Sequence, residues 1–384
     1  MPRNSSHLST KETIFFTGEE YFESLLTALK SAEETIELEV YIFEFDLLGI
    51  TVIEALTQAA KRGVKIRVLV DGAGSPEWGG EPVKKLESLG VETRVFHPFP
   101  WHLWQWSRSK VRVPLFFLKA IYLLLKINSR NHRKACIVDQ EILYTGSFNI
   151  SSKHLSKEHQ GESWRDTGIR LENVKLNEAI QAFESVWSYQ PIQEKVRQFF
   201  RHVRSNPNIR LNNTWYRRRI LYRDLIKRIR NCTQRIWITN AYFIPNSLLL
   251  KRLIEAAASG VDVRILLPNQ SDIRFMPLAS QTFYEKLLRA GAKVFEYLPS
   301  ILHAKTLILD NWMIVGSSNL NYRSFLHDLE LDINARTTKS KELLATQFLK
   351  DVANAKEVKL DSLRDCPWYK KAIGNAFLYL KYLI

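Results

Sequence analysis

A chain of 384 residues can bury one large core or two ordinary ones, and 45% hydrophobic content with mixed charge excludes a disordered protein. Lys and Arg total 55 against 40 Asp and Glu, a formal net charge of +15 that implies anionic partners, either nucleic acid or an acidic membrane. Cys136, Cys232 and Cys366 lack paired spacing, which argues against a zinc cluster or disulfide framework and fits a reducing cytoplasm.

Residues 1–17 lack the basic-then-apolar run of a signal peptide, so no leader is expected. No uninterrupted apolar stretch reaches about 18 residues, so no spanning helix is expected either. Residues 19–32 carry apolar side chains at helical spacing, and 35–43 alternate before turning fully apolar, which predicts a helix followed by a strand. A helix over 50–62 ends at Gly63, and a strand over 64–70 runs into the turn sequence Asp71-Gly72-Ala73-Gly74-Ser75-Pro76. A helix at 82–89 and a strand at 91–96 follow.

From 98 to 130 the chain carries Trp101, Trp104 and Trp106, then Arg108, Lys110 and Arg112, then an apolar run containing Phe116 and Phe117. No acidic residue occurs between Phe96 and Val138. Clustered Trp, flanking cations and an apolar run too short to span suit a segment lying in a bilayer interface. A buried helix of a soluble domain is the alternative. The tail beginning at Trp368 repeats this composition and is a second candidate contact.

Next comes Asn131-His132-Arg133-Lys134-Ala135-Cys136-Ile137-Val138-Asp139, followed by Gly146-Ser147-Phe148-Asn149. Residues 191–234 are rich in Arg, including Arg217-Arg218-Arg219, and suit a solvated linker and helix surface or a patch for lipid headgroups or nucleic acid. The same order of elements then returns. A strand at 235–243, a helix at 247–258, Gly260, a strand at 261–267, a helix at 283–289 and a strand at 292–297 lead to a second motif. It reads His303-Ala304-Lys305-Thr306-Leu307-Ile308-Leu309-Asp310, with Gly316-Ser317-Ser318-Asn319 beyond. "AAKRGVKIRVLV" beside "AAASGVDVRILL" marks a duplication.

Strand–helix alternation in each half predicts an α/β fold of mixed or mostly parallel sheets flanked by helices, with two similar halves related by a pseudo-twofold. The first half is placed at 1–200, a basic linker at 201–220 and the second half at 221–384. If the motifs are strands, His and Lys two apart share a face, and the apolar residues after them bury beneath. The Gly-Ser-x-Asn turn offers an amide and a hydroxyl to an oxyanion. Two copies facing each other would make a symmetric pocket for a phosphodiester, with lysines as its cations and no metal or other cofactor. The remaining histidines, His7, His97, His102, His154, His159, His202 and His327, read as surface or satisfied core residues.

The doubled His-x-Lys-x4-Asp with its downstream Asn resembles the phospholipase D superfamily. "NHRKACIVDQEILYTGSFNIS", "WRDTGIRL", "NAYFIP" and "LHAKTLILDNWMIVGSSNLNYRS" resemble, within it, the bacterial cardiolipin synthase family. The likeness covers roughly residues 18–340 and implies a fold of two phospholipase D-like halves. It implies His132 as a nucleophile that becomes a phosphohistidine and His303 as general acid and base. Lys134, Lys305, Asn149 and Asn319 would hold the phosphoryl oxygens, with Ser147 and Ser317 as further phosphate contacts. Asp166 and Glu330 would orient the imidazoles, whereas Asp139 and Asp310 are expected to tie strand to loop. The implied reaction joins two phosphatidylglycerol molecules into cardiolipin with release of glycerol. The implied partners are anionic phospholipids and a membrane surface rather than nucleic acid, on the cytoplasmic side of a bacterial inner membrane. Trp101, Trp104, Trp106, Phe116, Phe117 and Trp368 are the expected membrane contacts. A hydrolase or nuclease using the same pocket, and an idle membrane-binding protein, remain as alternatives.

Overall fold

The computed structural model describes residues 10–109, 116–188, 208–364 and 367–379. In the first half, β1 (Lys11–Phe15), β2 (Thr35–Val40), β3 (Lys65–Asp71), β4 (Glu92–Phe96), β5 (Ala135–Val138), β6 (Ile142–Gly146) and β7 (Gly168–Glu172) form one sheet. Its order is β1-β7-β6-β5-β2-β3-β4. The second half contributes β8 (Ile209–Leu211), β9 (Arg235–Thr239), β10 (Asp262–Pro268), β11 (Lys293–Tyr297), β12 (Thr306–Leu309), β13 (Trp312–Gly316), β14 (Leu331–Ala335) and β15 (Ala355–Glu357). That sheet runs β15-β11-β10-β9-β12-β13-β14-β8. Taken from its other edge, the order β8-β14-β13-β12-β9-β10-β11 matches the first sheet strand for strand, and β15 is an addition.

Both sheets are mixed. Only β2, β3 and β4, and likewise β9, β10 and β11, run parallel, because helices such as Leu47–Lys61 and Ser247–Ala258 cross between them. The motif strands turn back too tightly for a crossover helix, so β5–β6 and β12–β13 are antiparallel hairpins. Asp139 and Gln140 take positive φ of 50° and 57° in the first turn, and Asp310 takes 51° in the second. The one-residue difference in motif spacing falls in these turns, outside the paired registers.

The apolar run after each His-Lys pair is explained by burial on both faces. Ala135 and Ile137 join Leu143, Ile169, Ile308, Met313 and Leu331 in a core between the two sheets. Cys136 and Val138 face the other way, into a core shared with the helices Gly18–Ser31 and Leu47–Lys61. The layers are therefore helices, sheet, sheet, helices, with the halves packed sheet against sheet. His132 and Lys134 lie just before β5, and His303 and Lys305 just before β12, so the pairs cap the strand ends instead of standing within the strands.

Part of the expected linker belongs to the second half. Ile209–Leu211 pairs with β14, and Trp215 to Ile220 begin the helix Trp215–Asn231, while 201–207 lie outside the described residues. Arg218 is no free surface charge, since it donates to the carbonyls of Leu326 and His327.

The insert is a 3-10 turn at Leu103–Arg108 and a helix at Phe116–Leu125. Trp101, Trp104 and Phe117 are exposed, as are Leu124 and Leu125. Trp106 is buried, against the expectation of a membrane contact. It packs on Leu123, its carbonyl accepts from Lys119 Nζ at 2.7 Å, and the same ammonium lies 5.5 Å from its ring. An insert this short needs a small core of its own, and Trp106 supplies it. Arg108 is neutralised by Glu87 through two 2.7 Å bonds, and Lys110 and Arg112 lie outside the described residues. The side chains of Phe116 and Trp368 also lie outside them. Among the described residues no helix is long and apolar enough to cross a membrane.

Asp139 and Asp310 do the same work in the two halves. The Asp139 carboxylate accepts from the backbone N–H groups of Glu33, Glu34 and Thr35, and Asp310 from those of Thr233, Gln234 and Arg235. Each thus caps the start of the strand beside its hairpin. Asp139→Ala should lower unfolding stability by about 1.5–3 kcal/mol, because charge-assisted bonds to three amides are lost. Chemical denaturation would read this as a lower midpoint, and an unchanged midpoint would deny the cap its role.

Candidate active site

The two halves are joined at the motif ends by backbone. His132 N donates to Leu329 O at 3.0 Å, and His303 N donates to Arg165 O at 2.8 Å. Short parallel bridges, Asn131 with Leu329 and Arg165 with Leu302, register the segment before each histidine against the opposite half. This register brings an acid of one half behind the imidazole of the other.

His132 Nδ1 lies 3.2 and 3.1 Å from the two carboxylate oxygens of Glu330. His303 Nδ1 lies 2.8 Å from Asp166 Oδ1. A carboxylate accepts only, so each imidazole donates through Nδ1 and keeps its lone pair on Nε2. Neither Nε2 bonds to a described residue, and both rings line one cleft of about 820 Å³. Asn149 and Asn319 line it too, as do Tyr41, Tyr242, Trp164, Asp272 and Arg323. Asn149 Oδ1 accepts from Ile42 N at 3.2 Å, so its NH2 group is not used by that bond.

The lysines sit behind the histidines. Lys134 Nζ donates to His132 O at 2.7 Å, and Lys305 Nζ donates in the same way to His303 O at 2.5 Å. Tyr41 and Tyr242 cover them, with ring centroids 5.3 and 5.9 Å from the ammonium groups. Ser147 and Ser317 do not face the cleft. Ser147 Oγ exchanges bonds with the backbone of Thr167, while Ser317 Oγ donates to Glu330 at 2.5 Å and accepts from Leu331 N. Both are fully buried, so these hydroxyls stitch strand ends together, and that of Ser317 also braces Glu330. Asp139 and Asp310 lie at the far ends of their strands, away from the cleft.

Several residues of the site carry no signal in the motifs themselves. His154 donates to the second oxygen of Asp166 at 2.8 Å, and Ser324 donates to Glu330 at 2.6 Å. Asn212 accepts from Glu330 N at 2.6 Å and donates to Asp328 O, so the segment before the helix Trp215–Asn231 anchors the acid loop. Tyr41 and Tyr242 follow equivalent strands in the duplicated "VYIF" and "AYFI", a repeat that could have marked them.

Burial dominates the electrostatics. It pushes His132 well below the ordinary imidazole range, with Lys134 and Lys305 adding to the effect. His303 is pushed down to about 4 by burial and Lys305, against the pull of Asp166. Lys134 falls to about 7 and Lys305 to about 8, again through burial first. Burial acts on Asp166 in the raising direction, but the His303 and His154 imidazoles and their hydrogen bonds outweigh it and hold the carboxyl well below its usual range. Burial raises Glu330, which is restrained by Lys134 and the two serine hydroxyls. The imidazoles are thus neutral and the lysines only partly charged at neutral pH. A bound phosphate group would favour the protonated forms.

The fold and the paired His–Lys strand ends define a duplicated α/β enzyme of the phospholipase D type. A family model described as "Cardiolipin synthase, PLD-like domain" matches residues 25–187 and 225–352, and the chain belongs to that family. It is 30% identical over 399 residues to a cardiolipin synthase of Halalkalibacterium halodurans, covering 100% of this chain and 74% of that protein. A cardiolipin synthase of Clostridium perfringens is 30% identical over 361 residues, covering 91% and 72%. Among solved structures, a phosphatidylserine synthase from Haemophilus influenzae superposes with a TM-score of 0.69 at 13% identity, covering 97% of this chain and 95% of that one. That likeness is one of fold.

Because burial lowers Lys134 to about 7 and Lys305 to about 8, affinity for a small oxyanion should fall as pH rises through that range. Calorimetric titration with inorganic phosphate or tungstate in buffers of differing ionisation enthalpy should show net proton uptake on binding. Affinity independent of pH between about 6 and 9 would contradict these assignments.

Proposed function

We propose that this enzyme is a phosphatidyltransferase that makes cardiolipin from two phosphatidylglycerol molecules, releasing glycerol. The observation that carries the proposal is the pair of imidazoles, each oriented by a carboxylate of the opposite half, whose free Nε2 atoms share one cleft with Asn149 and Asn319. In this reading His132 Nε2 attacks the phosphorus of the first lipid. The P–O bond to the glycerol headgroup breaks, and His303, protonated once the anion is bound, gives its proton to the departing oxygen. Neutral His303 then takes the proton of a hydroxyl on the second lipid. That oxygen attacks the phosphohistidine, the P–N bond breaks, and His132 is restored. Lys134 and Lys305, with Asn149 and Asn319, stabilise the phosphoryl oxygens throughout. Asp166 and Glu330 hold the tautomers and share the charge of each imidazolium as it forms.

The lining of the cleft favours a single phosphodiester over a nucleic acid. Glu44, Asp46, Glu77 and Asp272 outnumber Arg323 in its lining, with Glu44 paired to Lys153, and this acid excess disfavours a polyanionic backbone while leaving acceptors for hydroxyl groups. Membrane contact is part of the proposal. Trp104 Nε1 donates to the carbonyl of Pro76, a cleft-lining residue, so the exposed Trp101 and Trp104 stand beside the mouth. On the other side, Phe377 of the helix Trp368–Tyr379 stacks on Phe275 at 4.8 Å, two residues from cleft-lining Ile273. Both halves therefore bring apolar groups to one rim, as a peripheral or monotopic protein on the cytoplasmic face of an inner membrane requires.

Lipid mass spectrometry of cells lacking cardiolipin but expressing this chain should show cardiolipin. His132→Ala and His303→Ala should each lower its formation by roughly a thousandfold or more, and turnover should persist in EDTA because the cations are lysines. Phosphatidic acid as the main product would instead indicate hydrolysis. Loss of turnover on chelation, restored by a divalent ion, would contradict the site. Replacing Trp101 and Trp104 together by Glu should weaken binding to anionic vesicles by roughly tenfold or more without lowering the melting temperature. Unchanged sedimentation with vesicles would place the contact elsewhere.

A further inference from the structure

Asn149 and Asn319 occupy equivalent turns, and five residues after each stands a side chain of different type, His154 in the first half and Ser324 in the second. Both make the same pair of bonds. Asn149 N donates to His154 Nε2 at 3.1 Å, and His154 Nδ1 is 2.8 Å from Asp166 Oδ2. Asn319 N donates to Ser324 Oγ at 3.1 Å, and Ser324 Oγ donates to Glu330 Oε1 at 2.6 Å. Both bridging residues are buried, and the rings of Phe22, Phe148 and Trp164 pack around His154. The Asn149 N–H requires a lone pair on Nε2, so the proton of His154 sits on Nδ1 and is directed at Asp166.

The two bridges span the same gap with different parts. A long imidazole meets the short acid, Asp166, and a short hydroxyl meets the acid longer by one methylene, Glu330. We infer that His154 and Ser324 are positioning residues, each matched in length to its carboxylate. Each sets how far that carboxylate reaches toward the opposite histidine and ties it to the amide turn of its own half. This rests on the two-histidine reading of the cleft and adds to it a rule for the pairs: His with Asp, Ser with Glu. An ordinary satisfied core histidine would carry no such dependence on the length of its neighbour.

The test is a swap in the full chain, with glycerol release from phosphatidylglycerol vesicles as the assay. His154→Ser and Asp166→Glu should each lower kcat by roughly ten- to a hundredfold with KM within about twofold, because His303 loses its alignment. The double variant, which copies the second half's pair into the first, should recover at least about tenfold over the slower single variant. A double variant no faster than the slower single, or a His154→Ser protein with wild-type kcat, overturns the inference. His303→Ala is run beside them. If it keeps full turnover, the underlying two-histidine reading fails; if it is inactive and the swap shows no recovery, only the length matching fails. A measurement on the unaltered protein guards against variants that do not fold. A coupling across the hydrogen bond from the Asn149 amide to an unprotonated His154 Nε2 supports the bridge, and a protonated Nε2 overturns it.

Discussion

Each of the two imidazoles at the cleft is held by a carboxylate that belongs to the other half, His132 by Glu330 and His303 by Asp166. This crossing is the constraint on which the remaining architecture depends. A carboxylate buried without a partner is costly, and an imidazole without an orienting acceptor can turn or change tautomer. Neither half alone can meet both needs, so the two sheets must pack face to face in one register. The backbone bridges at Leu329 and Arg165 and the shared core of Ile137, Leu143, Ile308 and Met313 serve that register.

The same packing explains the site's charge. Lys134 and Lys305 are taken out of water, each donating to a histidine carbonyl beneath a tyrosine face, while Asp166 and Glu330 attract both ammonium groups. Their ammonium forms are destabilised, and so are the imidazolium forms beside them. A negative charge brought into the cleft would favour the protonated forms of both groups. Asp166 and Glu330 offset part of the destabilisation, but burial outweighs them, and each is also engaged by its histidine and by His154 or the serine hydroxyls.

Duplication sets the plan, and departures from it specialise the two sides. At the register position where Gly146 faces Gly168, the equivalent pair is Gly316 and Asp332. A Cβ on Gly168 would come within 2.6 Å of the Tyr21 ring, so an aromatic fills that space in the first half. In the second half Asp332 fills it and accepts from the Ser318 N–H and hydroxyl. The insert of the first half and the helix Trp368–Tyr379 of the second differ in sequence but bring apolar side chains to the same mouth.

Much of this was legible in the chain itself. The doubled motif, the repeated helix-to-strand signals and the acids after each Asn depend on local spacing, and spacing is what a sequence carries directly. Burial on both faces of β5 and β12 was implied by their unbroken apolar runs. Which acid serves which histidine could not be read there, because crossing and non-crossing pairings use the same residues at the same separations. That choice falls to the packing of one sheet on the other. The same limit hid His154, an unremarkable histidine until Asp166 folds over it, and Trp106, whose burial depends on Lys119 and Leu123 across the insert. It also hid the hydroxyls of Ser147 and Ser317, drawn inward by the strand ends beside them. Local order along the chain dictated the chemical groups and their twofold plan. Their partners were set by the packed fold, because contacts between distant segments follow from how two buried surfaces fit.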